Sequence, residues 1–371
     1  MNNAIVNQYQ PDEVSPPGET LEELLEEREM TQAELATRMG RPKKTINEII
    51  KGKAEITPET ALQLERVLGV SATFWSNRER HYRDFLARQK EQQHLKNNLN
   101  WLKQVPVKAM INLGWIQDYS DKIDQLRELL NFFAVTSPEN LESLLAKELA
   151  VDFRKSQAYE SNSWAIAAWL RQGEIEAAKI SCNEYNSQAF KEALFKIRSL
   201  TVEPPEVFQA QMVNLCAASG VAVAFVPQLP KTRVCGATRW LTPNKALIQL
   251  SLRYKKNDHF WFAFFHEAGH ILLHGKKDLF LESLDKKQQN QHKNNKEKEA
   301  DRFAGDFLID PNIYKEFQQA NRYFSQESIK QLAQQIGIAP GIVVGRLQHD
   351  GLVKHSHCNK LKQTFEWKSI L

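Results

Sequence analysis

Histidines at positions 266 and 270 bracket a glutamate at 267 in the run Phe264-Phe265-His266-Glu267-Ala268-Gly269-His270-Ile271-Leu272-Leu273. An α-helix brings residues four apart onto one face, so both imidazoles can aim at a single metal ion. Glu267 then lies beside them, placed to polarise the attacking water instead of binding the metal. The chemistry of that pattern is hydrolysis at a zinc site, and Zn2+ is the expected cofactor. Burying two histidines and a carboxylate in so apolar a helix is costly unless they have partners. The bland alternative is a polar stripe that faces solvent or a neutral hydrogen-bond network.

A catalytic zinc takes three protein ligands and keeps one position open, so a third ligand must come from elsewhere. A metzincin-type pattern would need a histidine at position 276, which is Lys276. His274 lies four residues beyond His270, but a 266/270/274 stripe spans two turns and points past one ion; it is expected to pack or to cap the helix end. The run Glu297-Lys-Glu-Ala-Asp-Arg-Phe-Ala is the better source. On a helix, Glu297, Ala300, Asp301 and Ala304 share a face, while Glu299 and Arg302 turn away. The alanines would let this helix approach the first one closely. Glu297 can then complete His-His-Glu ligation, with Asp301 hydrogen-bonded to a ligand histidine from behind; Asp301 could also exchange roles with it.

The elements that must position these residues follow from patterning. Residues 1–18 form a polar lead-in with Pro11, Pro16, Pro17 and Gly18. Residues 19–88 read as a string of short helices. Thr20-Leu-Glu-Glu and Thr31-Gln-Ala-Glu have capping-box spacing, and Gly40 and Gly69 are stop signals. The last of these helices starts at Ser71 and fades near Arg88 into a polar run, linker or exposed helix. Residues 89–215 form a helical middle region, with Trp101, Trp115, Phe132, Phe133, Trp164 and Trp169 as core anchors. Residues 216–371 change character: β-type runs at Val221–Val226 and Ala246–Leu252, a helix apolar nearly all round from Phe260 to His274, and a polar loop from Lys286 to Lys296. Helical patterns resume at Glu297 and again at Gln326. The expected fold is mainly α with a small β-sheet.

A second chemistry sits near the N-terminus. Thr31 to Gly40, a short turn, and Pro42-Lys-Lys-Thr-Ile-Asn-Glu-Ile-Ile-Lys-Gly read as helix-turn-helix. Ile46, Ile49 and Ile50 pack inward, leaving Lys43, Lys44, Asn47 and Lys51 outward, with Thr45 in the same first turn. Lysines suit phosphates or guanine and asparagine suits adenine. Gln32 is placed for a backbone contact. A small helical bundle with a solvated basic face is the alternative. The basic run Lys286 to Lys298 is read instead as a loop beside the metal site.

Composition is that of an ordinary globular chain: 371 residues, 42% hydrophobic, 25% charged, net charge +4. No segment approaches the ~20 apolar residues of a membrane span, no secretory pattern opens the chain, and the four cysteines lie far apart without a CxxC pair. A cytoplasmic protein is expected.

Two resemblances sharpen these expectations. Residues 220–308 resemble the ImmA/IrrE-type metallopeptidases through Phe-His-Glu-Ala-Gly-His-Ile-Leu-Leu-His, then Glu-x-x-Ala-Asp-x-Phe-Ala and Leu308-Ile309-Asp310-Pro311. That implies a zincin-like α+β domain with His266, His270 and Glu297 as ligands and Glu267 as general base. It also implies a strand at the cleft that pairs with an extended peptide, for which Val234-Cys235-Gly236 is the expected edge. Residues 17–88 resemble HigA-type antitoxins of the XRE helix-turn-helix class through Pro17-Gly18-Glu19-Thr20-Leu21, Thr31–Ala36, Arg41–Ile49, Ile56–Ala61 and Phe74-Trp75. That implies a homodimer on double-stranded operator DNA. The expected function is a transcriptional regulator with a zinc endopeptidase-type domain that cleaves itself or a partner. The alternative is an autorepressing antitoxin, paired with a cognate toxin, whose metal domain is a sensor or structural element.

Overall fold

The computed structural model describes residues 14–148, 157–232, 234–276, 279–283 and 291–366. The chain divides into two compact units, Met1–Asn98 and Leu99–Leu371.

The first unit holds α1 (Pro17–Glu27), α2 (Gln32–Met39), α3 (Lys43–Ile50), α4 (Pro58–Leu68) and α5 (Ala72–Asn97). Local chemistry sets most of these ends. Thr31, Thr57 and Ser71 each accept a hydrogen bond from the backbone N–H three residues on, capping α2, α4 and α5. Gly40 and Gly69 close α2 and α4 in the left-handed region. Thr20 does not cap α1, which begins three residues earlier behind Pro16, because Pro17 supplies the pre-set φ of a first helical residue. Pro17-Gly18 is buried against the end of α3, where a Cβ on Gly18 would overlap the carbonyl oxygens of Ile49 and Ile50. Leu21, Leu35, Ile46, Ala61, Leu64, Leu68 and Trp75 make the core beneath. The polar run after Arg88 continues as the last third of one 26-residue helix, α5.

In the second unit come α6 (Val107–Asn112), α7 (Lys122–Phe133), α8 (Pro138–Glu148), α9 (Gln157–Ala178), α10 (Ser187–Ser199) and α11 (Pro205–Ala217). Next are β1 (Val221–Phe225), β2 (Val234–Thr242), β3 (Lys245–Leu250), α12 (Asn257–Leu273), β4 (Phe280–Ser283) and α13 (Gln291–Leu308). Last are α14 (Pro311–Ala320), α15 (Gln326–Ile336) and α16 (Pro340–His349). The four strands lie in the order β1-β3-β2-β4, with β1 parallel to β3 and the other pairs antiparallel.

Period-two alternation splits the sheet's side chains between two layers. Ala222, Ala224, Ala237 and Leu247 face Ile166, Trp169 and Leu170 of α9. Val221, Val223, Ile248 and Leu250 face a larger core with Phe264, Phe265 and Ala268 of α12 and Phe190, Phe208 and Met212 of α10 and α11. Trp169 donates its indole N–H to the Val226 carbonyl at 3.0 Å, and Arg239 of β2 donates to the Leu170 carbonyl at 2.9 Å. Thus α9 to α11 are part of the sheet's own packing. Of the aromatic anchors read from the sequence, all but Trp115 are buried, and Trp115 is half-buried and stacked on Phe132.

Three expectations need correction. The run Val234–Gly236 is not an edge: β2 pairs with β3 on one side and β4 on the other, so β4 takes the outer place. Residues 291–298 are helical, since α13 begins at Gln291; Glu297 therefore sits in its second turn and not at its start. The remainder of the expected basic loop, 286–290, lies outside the described residues.

Candidate metal centre and nucleic-acid interface

Helix α12 is buried on every side from Ala263 to Ile271, which is why its sequence lacks a polar face. Within it His266, Glu267 and His270 are at most 1% exposed. The same packing brings α13 across α12, and small residues set the approach: a Cβ on Gly269 would stand 3.4 Å from the Ala300 Cα and 3.0 Å from the Phe303 ring. Ala300 and Ala304 are fully buried.

This contact carries Glu297 to the two histidines. Its carboxylate lies 3.2 Å from His266 Nε2 and 3.7 Å from His270 Nε2, and the two Nε2 atoms are 3.0 Å apart. Donors around a tetrahedral zinc stand about 3.3 Å from one another. His266, His270 and Glu297 are the group that could hold a metal ion among the described residues. The donor set fits such an ion in a second respect: Glu297 Oε1 is buried and accepts no hydrogen bond, a state that costs free energy unless a cation is to meet it.

Electrostatics agree with ligation. Burial holds the His270 imidazole in its neutral form, down to about 4, against the opposing pull of Glu297. Burial alone would raise the Glu297 carboxyl, but its contacts with His266 and His270 bring it down to about 2. A neutral imidazole beside an ionised carboxylate is the state in which both offer lone pairs.

Asp301, one turn along α13, lies at the opposite nitrogen, with Oδ1 2.9 Å from His266 Nδ1. The two acidic residues left interchangeable by helical spacing are thus separated by which ring nitrogen each one meets. Glu267 is fully buried above β2, where a Cβ on Gly236 would come within 2.6 Å of its Oε1; Thr238 Oγ1 donates to the Glu267 carbonyl at 3.1 Å. Cys235 and Val234 are buried in the sheet, Cys235 on the site face and Val234 on the α9 face. Cys235, Phe262 and Asp301 share the wall of a cavity of about 470 Å³, which continues past Leu308, Ile309, Ile342 and Arg346.

Two nearby residues were undervalued by sequence reasoning. His274 is the C-cap of α12, as expected, but its ring also lies 2.9 Å from His270 Nδ1. Glu299 does turn outward, yet its carboxylate reaches His274 Nε2 at 3.0 Å. Their spacing, four residues after a ligand and two after another, was the only signal available. Lys276, where a metzincin-type ligand would stand, places its ammonium over Trp240 instead.

In the first unit, α3 buries Ile46, Ile49 and Ile50 and exposes Lys43, Lys44 and Lys51, with Thr45, Asn47 and Gln32 half-exposed. Lys44 is 83% exposed and only loosely held by Glu48 at 3.7 Å. Arg41 is occupied, donating to Gln63 and paired with Glu59.

Comparison with known proteins agrees with both units. Residues 21–75 match the family model described as Helix-turn-helix, and residues 237–348 match that described as IrrE N-terminal-like domain, a peptidase family. Over 61 residues the chain is 36% identical to YddM of Escherichia coli, described as an uncharacterized HTH-type transcriptional regulator; the match covers 16% of this chain and 65% of YddM, just short of two thirds of that protein. Two solved structures also align. One is an addiction module antidote protein of a HigA family from Coxiella burnetii, 30% identical, covering 23% of this chain and 92% of that one, with a TM-score of 0.21. The other is a candidate antidote protein of a plasmid maintenance system from Nostoc punctiforme, 26% identical, covering 22% and 91%, with a TM-score of 0.22. The chain thus joins an N-terminal helix-turn-helix DNA-binding domain to a C-terminal domain of the IrrE N-terminal-like peptidase family.

Proposed function

We propose that this protein is a DNA-binding transcriptional regulator whose C-terminal domain is a zinc-dependent endopeptidase acting on itself or on one partner protein. The observation that carries the reading is the buried convergence of His266, His270 and Glu297 with Glu267 beside them, on a chain that also bears a DNA-binding domain. Zinc is the ion best suited to two imidazoles and one carboxylate, and when bound it supplies Lewis-acid polarisation of a carbonyl and of water. In this reading Glu267 takes the proton from the attacking water and returns it to the leaving amine. Asp301 keeps the His266 proton on Nδ1, so that Nε2 stays a donor to the metal. The cavity past Phe262 is the place for a side chain of the substrate, and β4, as the outer strand, is where an extended peptide would pair. DNA is bound as a homodimer, with Gln32 on the backbone and Lys43, Lys44, Thr45, Asn47 and Lys51 reaching the major groove, in the cytoplasm where operator DNA is found.

The test is Glu267→Gln in the full-length protein. Zinc content and fold are expected to stay, while cleavage falls by about 100- to 10,000-fold. Regulation that survives the change intact would sink proteolysis as the mechanism. It would favour the second reading, an autorepressing antitoxin bound to a toxin, which rests on the Pro17–Leu21 and Arg41–Ile49 segments shared in pattern with that class.

A further inference from the structure

A histidine can ligate a metal only through a nitrogen that carries no proton, and which nitrogen that is depends on what the other one meets. For His266 the matter is simple, because ionised Asp301 can only accept and so draws the proton to Nδ1. Among the described residues no carboxylate meets His270 at Nδ1. Its Nδ1 faces another imidazole nitrogen, His274 Nδ1, at 2.9 Å. That contact works in either direction, and only one leaves His270 able to ligate.

The direction is set one residue further out. His274 Nε2 lies 3.0 Å from Glu299 Oε2. A carboxylate accepts and cannot donate, so the His274 proton belongs on Nε2 and, in the neutral ring, His274 Nδ1 is an acceptor. His270 Nδ1 must then donate to it. His270 Nε2 is left with its lone pair directed at His266 Nε2, 3.0 Å away, with Glu297 closing the third side. The Phe280 ring lies flat on His270, 3.9 Å between centroids and 13° between planes, and so holds the imidazole in the plane this exchange needs.

We propose that Glu299 and His274 are a positioning pair for the metal centre: a relay from the outward side of α13 through the end of α12 that fixes the proton on His270 Nδ1 and keeps Nε2 available to the ion. The proposal rests on the metal reading of the cluster, and neither residue belongs to the three-ligand group. The Glu299 side chain is 60% exposed. At that exposure its charge adds little to fold stability, so the Glu299 variants are expected to fold; the His274 side chain is buried, at 3% exposure, and the Glu299 variants therefore carry the test.

The experiment measures zinc affinity of the full-length protein by chelator competition, for wild type, Glu299→Lys, Glu299→Gln, His274→Asn and His274→Phe. Lysine at 299 donates to His274 Nε2 and reverses the order of protons, and phenylalanine at 274 removes the acceptor. Both are expected to weaken zinc binding by about 10- to 100-fold. Glutamine at 299 can still accept through Oε1, and asparagine at 274 presents Oδ1 where Nδ1 stood, so both retain wild-type affinity. In metal-free protein labelled with 15N-histidine, NMR should find His270 protonated at Nδ1 in wild type and at Nε2 in Glu299→Lys. Equal zinc affinity across all five proteins, or His270 protonated at Nε2 in wild type, overturns the relay. If Glu297→Ala loses zinc while Glu299→Lys does not, the metal reading stands and the relay alone falls. A wild-type chain that takes up no zinc removes both.

Discussion

At the scale of single residues, the division of labour at the centre follows from which atom each carboxylate meets. Glu297 faces the Nε2 atoms and Asp301 faces Nδ1 of His266. Replacing Glu297 with alanine should therefore abolish zinc uptake in metal analysis of the purified protein, leaving two imidazoles and no anion; unchanged zinc content would remove Glu297 from the ligand set. Gly236 matters for a different reason. Any Cβ there would press on Glu267 Oε1 and Cγ, at 2.6 and 2.8 Å. Gly236→Ala should displace that carboxylate, with cleavage reduced and stability lowered by about 1–3 kcal/mol in thermal unfolding, while zinc content stays near wild type because no ligand is touched.

At the scale of elements, the centre depends on how closely α13 can lie on α12. Gly269 and Ala300 form the contact point, and Glu297 reaches the histidines only because nothing larger stands between the helices. Ala300→Leu should wedge them apart. The expected result is a loss of about 1–3 kcal/mol in unfolding together with weaker zinc binding in chelator competition; a stability loss with unaltered zinc affinity would show that Glu297 is held independently of this packing. The elements also explain the helical middle region. With α9 on one face of the sheet and α10 and α11 on the other, residues that carried no functional signal in the sequence supply the layers against which α12 is buried. Burial in turn keeps His270 neutral.

At the scale of the whole molecule, the side chains proposed to meet DNA and the candidate metal centre lie in separate compact units. The double change Lys44→Ala, Asn47→Ala should therefore abolish specific DNA binding and reduce the dependence of binding on salt, by roughly one unit of slope for the lost lysine, with zinc content untouched. Retained specific binding, read by competition against unrelated DNA, would overturn the assignment of those side chains.

Much of this was legible in the residues alone, and what was legible is local. The 266/270 spacing, the alternation of Ile46, Ile49 and Ile50 with Lys43, Lys44 and Lys51, and the caps at Thr31, Thr57 and Ser71 all act within one or two helical turns, where chain geometry leaves little freedom. Even the Glu297–Asp301 face could be drawn on a helix before its neighbour was known. What the sequence could not decide depends on segments distant along the chain. The outer place of β4 follows from strand order, which no alternation pattern encodes. The separation of Glu297 from Asp301 follows from the height at which α13 crosses α12, set by Gly269, Ala300 and the layers around them. Glu299 turns outward by spacing, as read, yet meets His274 because the end of α12 passes beside it. Residue types determined which chemistry was available; tertiary packing decided which nitrogen, which oxygen and which strand would take part, because those choices are made by contacts of an ångström or so between elements that the chain itself does not hold together.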